Sequence, residues 1–225
     1  MISRYLLTHL YIESPALLAG FFFRRSLIVH QYFIIYKPFN TLSQFSAQDG
    51  KHTLKDYFRV PGNLYPVGRL DYDSEGLLIL TNDKDLNQRL LHPRYAHERE
   101  YWLQVEGSID QHAIDRLQNG VIISIDGKPY PTRPCQASLL PEPLLIPERD
   151  PPIRYRAQLP TSWLQLTLTE GKNRQVRKMT AKTGFPTLRL IRTRIEKIGL
   201  DGLQPGEMRE MKKQEIYPLL FTFPL

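Results

Sequence analysis

The sequence predicts an α+β fold with a largely antiparallel sheet. Runs of β-branched and aromatic residues are mixed along the chain with segments of helical periodicity. Signals for hairpins, such as the Asp-Gly turn at residues 126–127, outnumber the strand–helix–strand units that build a parallel sheet. No internal repeat is visible in the 225 residues. These observations favour a mixed α+β domain over a doubly wound one.

The strands are predicted from apolar runs that end at turn residues. The first, residues 32–36, is closed by Pro38, because proline has no backbone donor for a β-ladder. Residues 163–168 alternate apolar and polar side chains, as a half-buried strand does. The other predicted strands are residues 64–67, 77–81, 101–105, 121–125 with the segment after Gly127, and 187–198.

Helices are predicted between these strands. Asn82 or Asp83 can cap a helix at residues 85–91, which His92 and Pro93 end. The other predicted helices are residues 53–58, 110–118, 173–183 and 205–213. Residues 141–160 contain six prolines and few periodic apolar positions, so we expect an extended loop there.

The two ends differ from the rest of the chain. Residues 1–31 contain three arginines and one acid, and the apolar run at 17–23 is shorter than the roughly 20 residues that span a bilayer. Arg24 and Arg25 follow that run in place of a signal-peptidase site. A disordered tail, a transit-like peptide or translation from an upstream start codon would each explain this segment. We expect a disordered extension at 1–31, one folded domain at 32–217 and a tail at 218–225.

Composition limits the chemistry. The net charge of +7 and a pI near 9.5 favour an anionic partner. The single cysteine, Cys135, excludes an intramolecular disulfide and a cysteine-based zinc site, and it suits a reducing compartment such as the cytoplasm. The six histidines lack the spacing of metal ligands. We therefore predict a chemistry without metal.

The first candidate site is the polar turn at residues 68–76. Arg69 lies two positions before Asp71, so both side chains leave one face of an extended segment. A neighbouring arginine favours the ionised form of an aspartate, which suits nucleophilic attack on a sugar or base carbon. A solvated loop with Asx turns is the alternative. A calcium loop is disfavoured because position 12 would be Asn82 rather than glutamate.

The second candidate is residues 171–194, which contain eight basic residues and no acid. Like charges at helical spacing repel each other, so an unmixed cluster favours phosphate binding over a solvated helix face. An RNA backbone or a carboxylate elsewhere in the fold, such as Asp71, would supply the missing negative charge. The basic residues are Lys172, Arg174, Arg177, Lys178, Lys182, Arg189, Arg192 and Arg194.

The third candidate is Tyr101, at the start of a predicted strand. A tyrosine in this position usually belongs to the core. Beside an aspartate in a cleft, its ring would instead stack on a nucleobase. Trp102 would then point to the opposite face.

The polar turn and its continuation, residues 68–82, closely resemble the signature of ribosomal pseudouridine synthases of the small-subunit-synthase type. Residues 36–38, 99–101 and 170–179 carry the same resemblance in the same order, and together it covers about residues 32–215. The branch that modifies large-subunit RNA is the most similar. That finer match is carried by residues 151–154, 160–164 and 184–192.

The resemblance implies a catalytic domain with a bent, mostly antiparallel mixed sheet, flanking helices, a central cleft and no S4 domain. It implies isomerisation of uridine without a cofactor, with Asp71 as the catalytic aspartate, Tyr101 stacking on the target base, and Arg174 pairing with Asp71. Arg69 and Arg99 join the basic segment as expected RNA contacts, although lysine is commoner at the position of Arg99. The expected partner is ribosomal RNA, 23S before 16S or tRNA, bound by a monomer with no membrane association.

Two other function classes share some of these features. A non-catalytic RNA-binding protein would explain the basic segment, but it would give Asp71 no role. A glycosidase-like hydrolase needs two carboxylates, one of them with a raised pKa, and an arginine neighbour acts in the opposite direction.

Overall fold

The computed structural model of the protein describes residues 29–142, 144–153 and 159–221, so the predicted extension at 1–31 lies almost entirely outside the described residues. The helices are α1 (Lys84–Leu91), α2 (Gln111–Asn119), α3 (Gln175–Thr183) and α4 (Lys213–Leu220). The strands are β1 (Tyr32–Lys37), β2 (Thr41–Leu42), β3 (His52–Thr53), β4 (Tyr65–Pro66), β5 (Glu75–Thr81), β6 (Arg99–Glu106), β7 (Ile122–Ile125), β8 (Lys128–Pro131), β9 (Gln136–Leu139), β10 (Thr161–Leu168), β11 (Thr187–Ile195), β12 (Ile198–Gly199) and β13 (Met208–Met211).

A nine-stranded mixed sheet organises the described chain. Its main path runs β13-β1-β5-β11-β6-β10-β9, with β4 on β5 and β12 on β11. Within this sheet every pairing is antiparallel except that between β5 and β11. Strands β7 and β8 form the separate hairpin that the Asp-Gly turn predicts. The predicted α+β class with a mostly antiparallel sheet is confirmed.

The sheet carries a separate core on each side of the β5–β11 junction. Leu103, Leu164 and Leu166 pack with helices α2 and α3 on one half. On the other half, Ile34 and Ile79 pack with α1 and α4. Strands β1 and β5 are buried throughout because loop residues, including Leu54 and Phe58, cover their second face.

The junction between the two halves is short and tight. Only two residue pairs join β5 to β11, Ile191 with Glu75 and Arg192 with Gly76. Gly76 has φ +104°, and a Cβ there would lie 2.3 Å from the carbonyl oxygen of Arg192. Glycine is therefore required where the polar turn enters β5.

Capping signals located two helices well, whereas the C-terminal helix was misplaced. Asp83 and Asp110 cap α1 and α2 with their side chains, as their sequence positions suggest. The predicted helix at 205–213 is wrong: residues 208–211 form edge strand β13 on β1, and the helix follows as α4. Backbone pairing with β1 outweighs local helix propensity there.

The structure also differs from the sequence-based predictions at residues 53–58 and at the end of the domain. Residues 54–56 form one 3-10 turn rather than the helix predicted at 53–58. Helix α4 continues past residue 217, the expected end of the folded domain, and contains Pro218 in its last turn. Burial of Leu220 and Phe221 against the core compensates for the backbone bond that proline removes.

Candidate active site

A cleft of about 740 Å³ lies at the β5–β11 junction. Its walls come from the polar turn after β4, the end of α1, the start of β6 and the start of α3. The structure thereby brings together three predicted site residues that are far apart in sequence, Asp71, Tyr101 and Arg174. The cleft also contains Arg69, Arg99, Lys172 and Arg192.

Ser43 holds the backbone immediately before Asp71. The Leu70 backbone N–H donates to Ser43 Oγ at 3.0 Å, and the same hydroxyl donates to the Leu70 carbonyl at 2.8 Å. On the other side of Asp71, the Ser74 backbone N–H donates to the Asp71 carbonyl at 3.1 Å. Asp71 is thus fixed from both sides with its side chain partly exposed to the cleft.

The guanidinium of Arg174 lies between two aspartates. It donates to both carboxylate oxygens of Asp73, at 2.8 and 2.9 Å, and its Nη1 lies 3.8 Å from Asp71 Oδ2. The sequence predicts that Arg174 pairs with Asp71. In the structure Arg174 lies near Asp71 but makes its bidentate contact with Asp73. The ion contact of Asp71 runs to Arg174 and not to Arg69, which is exposed.

Asp73 also contacts a second arginine, Arg177. Arg177 Nη2 donates to its carbonyl at 2.5 Å, and Arg177 Nε lies 3.4 Å from its carboxylate. Burial raises the pKa of Asp73, but the hydrogen bond from Arg174 and the charges of both arginines outweigh it and hold that pKa below its ordinary value. Asp73 remains ionised and ties the polar turn to α3.

Arg174 adopts a left-handed backbone conformation, with φ +51° and ψ +32°, just before α3 begins. This region is unfavourable for a residue with a long side chain, and such strain concentrates at functional sites. The conformation places Arg174 at the cleft while Val176 and Met179 are buried in the core. The sequence pattern gives no signal for this left-handed conformation of Arg174.

Tyr101 and Arg192 lie directly opposite each other on β6 and β11. Opposed residues of an antiparallel pair project from the same face, and here both line the cleft. Tyr101 is partly exposed, as a ring that receives a base would need to be, whereas Trp102 packs in a different cluster with Ile191.

Lys37, within the segment 36–38 that carries part of the family resemblance, is a buried cation near Asp71 and Asp73. Its Nζ donates to the carbonyls of Pro38 and Thr41, at 2.8 and 2.7 Å. Burial lowers the pKa of Lys37 to about 7, although the negative charges of Glu75, Asp73 and Asp71 act in the opposite direction. Its position is set by the proline and the turn that follow β1.

The buried Lys37 predicts a pH dependence of stability. Unfolded lysine stays protonated up to about pH 10.5, whereas folded Lys37 loses its proton near pH 7, so the unfolded state binds more protons between these values. Stability contributed by this group therefore rises with pH in that window, by up to about 1.4 kcal/mol per pH unit. Denaturant titrations of wild type and Lys37→Met at pH 7, 8 and 9 measure it. Parallel pH dependences of the two proteins would contradict the prediction.

The basic residues of segment 171–194 do not form one exposed patch. Arg189 is buried and donates through Nε and Nη2 to both carboxylate oxygens of Glu75, at 2.9 and 2.8 Å. Arg194 Nε contacts Glu100 at 3.0 Å. From the sequence, Arg189 and Arg194 were expected to contact RNA phosphates. In the structure they form ion pairs with carboxylates of neighbouring strands instead. Lys172 and Lys182 remain exposed, and Lys178 is partly exposed.

Arg99 is held by backbone rather than by acids. It donates to the carbonyls of Leu90 and His97, at 3.0 and 3.1 Å, and it lines the cleft beside the end of α1. Ser43 was missed by the sequence analysis because nothing in the local pattern links it to a turn 27 positions away.

The cleft combines an aspartate fixed by its backbone, an aromatic ring and several cations in a space large enough for a nucleotide. These features favour an enzyme that modifies a nucleic acid. The sequence profile described as RNA pseudouridylate synthase matches residues 31–182. The chain belongs to this family, whose members are isomerases that convert uridine in RNA to pseudouridine.

Curated relatives and solved structures agree with this assignment. Ribosomal large subunit pseudouridine synthase E of Xanthomonas axonopodis pv. citri is 49% identical over 76% of this chain and 89% of its own length. The protein of that name from Vibrio parahaemolyticus is 46% identical over 80% of this chain and 73% of its own length. A crystal structure of a pseudouridylate synthase has a TM-score of 0.69 and 26% identity, covering 84% of this chain and 74% of that one.

Proposed function

We propose that the protein converts a uridine of large-subunit ribosomal RNA into pseudouridine, with Asp71 as the catalytic aspartate. The observation that carries the site assignment is Asp71, fixed between Ser43 and Ser74 on the cleft wall with Arg174 at 3.8 Å. The substrate assignment is supported by relatives that are named for the large subunit and are 46–49% identical over most of the chain.

In this proposal the cations around the cleft bind the RNA backbone, and the target uridine flips into the cleft at a cost on the order of a few kcal/mol. Asp71 assists cleavage of the N1–C1′ bond, and the detached base rotates while Tyr101 stacks on it. C5 then bonds to C1′. Arg174 orients Asp71 through their ion contact. The exposed cations Arg69, Lys172 and Lys182 are the proposed phosphate contacts, together with the partly exposed Lys178 and Arg99.

The experiment is a site map of pseudouridine on protein-free large-subunit RNA treated with the purified protein, read by carbodiimide-dependent primer extension. We expect one new stop, with none on small-subunit RNA or tRNA in parallel reactions. A stop only on small-subunit RNA or tRNA would reject the substrate, and no stop on any RNA would reject the activity. The proposal also places the chain in the cytoplasm as a monomer, which fractionation and light scattering would check.

Arg174→Ala is expected to weaken RNA affinity and the single-turnover rate together, each by about tenfold, because it removes a cation and the fork that orients the aspartates. Filter binding and single-turnover assays measure the two effects. Since alanine is disfavoured at φ +51°, Arg174→Asn is the matched control, because asparagine tolerates this backbone. Full activity in Arg174→Asn would contradict a role for the guanidinium.

A further inference from the structure

The cleft wall contains a buried guanidinium that has no acid partner. Arg192 is 4% exposed, and its Nε donates to the carbonyl of Leu77 at 2.8 Å. Its Nη2 is buried and has no hydrogen-bond partner among the residues that the structure describes. Among the described residues, no carboxylate forms an ion pair with Arg192.

Arg189, three positions earlier on the same strand, shows what a structural buried arginine looks like in this protein. Both carboxylate oxygens of Glu75 accept from it, and the pair is buried as a unit. Buried cations in folded proteins are normally paired in this way, and a buried N–H group without an acceptor is rare and unfavourable. The buried Nη2 of Arg192 therefore calls for an acceptor that the described part of the chain does not supply.

The geometry indicates where that acceptor would come from. Arg192 lies opposite Tyr101 across the β6–β11 pair, so the two side chains share one face of the sheet and both line the cleft. The bond to Leu77 fixes the orientation of the guanidinium. Burial lowers the pKa of Arg192, and the main opposing influence is the Tyr101 hydroxyl. Arg192 thus belongs to the cleft wall beside the ring proposed to hold the base.

We propose that Arg192 stabilises the negative charge that develops on a carbonyl oxygen of the uracil ring when the base detaches from the ribose. This inference rests on the proposed function. When the N1–C1′ bond breaks, its electron pair stays with the base and spreads over N1, O2 and O4. Asp71 either bonds to C1′ or takes the C2′ proton, which leaves a glycal; in this second route C5 adds to C1′ as the proton returns to C2′, and the C5 proton is lost while N1 gains one. In the first route C5 then attacks C1′, the Asp71 carboxylate leaves, and the C5 proton is finally lost while N1 gains one.

A contact between the Arg192 guanidinium and a uracil carbonyl oxygen would stabilise the transition state more than the bound substrate. A donor that is already oriented and desolvated before the reaction stabilises developing charge more strongly than one that must reorganise. Because the charge forms only as the bond breaks, Arg192 would lower the barrier without tightening the binding of the unreacted RNA. This separates it from the exposed cations proposed to contact phosphates, whose loss weakens binding.

The test compares Arg192→Gln with wild type on two RNAs that differ only at the target nucleotide, uridine or 5-fluorouridine. Fluorine withdraws electrons and stabilises the detached base by itself, so that substrate needs less help from the protein. We expect a fall of about 100-fold in the single-turnover rate with uridine. The fall in cleavage of 5-fluorouridine should be about tenfold or less, with RNA affinity within about twofold for both RNAs. Equal falls on both substrates, or no fall, would overturn the inference.

Several controls separate the possible outcomes. Arg209→Gln removes an exposed arginine on edge strand β13, paired with Asp201 at 2.9 Å, and should react as wild type does.

In a Tyr101→Phe background, loss of the Arg192 effect would mean that Arg192 acts only by positioning Tyr101, and would overturn a direct contact. If Arg192→Gln does not fold, wild type is tested on RNA with 2-thiouridine or 4-thiouridine, whose sulfur accepts hydrogen bonds weakly. No slowing by either would overturn the inference.

The design also distinguishes this inference from the proposed function on which it rests. Wild type that forms no pseudouridine on any RNA contradicts the proposed function itself. Wild type that is active beside an equally active Arg192→Gln contradicts only the role of Arg192.

Discussion

Asp71→Asn is expected to abolish pseudouridine formation, with turnover reduced on the order of 10³-fold or more and RNA affinity changed by less than about twofold. Asparagine has nearly the same shape, so the contacts that Ser43 and Ser74 make with the backbone around residue 71 persist. What is lost is a carboxylate able to attack or accept a proton. Primer-extension mapping and filter binding on the same RNA measure both quantities.

Asp73→Asn is the matched control, because it removes the same charge two positions away. It breaks the contacts with Arg174 and Arg177 that tie the turn to α3, so we expect a smaller fall in turnover, about 10- to 100-fold, with a lower melting temperature. If Asp73→Asn were the more damaging substitution for turnover, the assignment of the catalytic aspartate would move to Asp73.

Local signals were sufficient to predict much of this fold. The capping side chains of Asp83 and Asp110 and the Asp-Gly turn at 126–127 act within a few residues, so their consequences are visible in sequence. Strand β13 was predicted as helix because its structure depends on β1, which lies far away in the chain. The position of Pro218 inside α4 similarly depends on a core, including Ile216 and Leu220, that only the fold assembles.

In the candidate site, too, local sequence signals predicted some features, whereas others depend on residues far away in the chain. The signature around Asp71 identified the cleft, and Tyr101 and Arg174 line it as expected. The roles of individual cations were not predictable, because pairing is a property of neighbours across the sheet. Arg189 and Arg192 look equivalent in a basic segment, yet Arg189 pairs with Glu75 whereas Nε of Arg192 donates to the carbonyl of Leu77.

Arg189→Met is expected to reduce the free energy of unfolding by about 3–5 kcal/mol, because it leaves Glu75 as a buried carboxylate without its cation. Glu75 and Arg189 are 2% and 5% exposed and lie next to the two-residue junction of β5 and β11. The same junction carries the polar turn, so we also expect lower activity. Denaturant unfolding monitored by tryptophan fluorescence measures the stability.

The double variant Glu75→Leu with Arg189→Met separates charge burial from packing. Replacing both ions with apolar side chains removes the uncompensated charge, and buried pairs replaced in this way often retain most or all of their stability. We therefore expect the double variant to be more stable than Arg189→Met alone. A double variant as unstable as the single one would mean that the geometry of the ion pair, rather than neutralisation of its charge, holds the two halves of the sheet together beside Asp71.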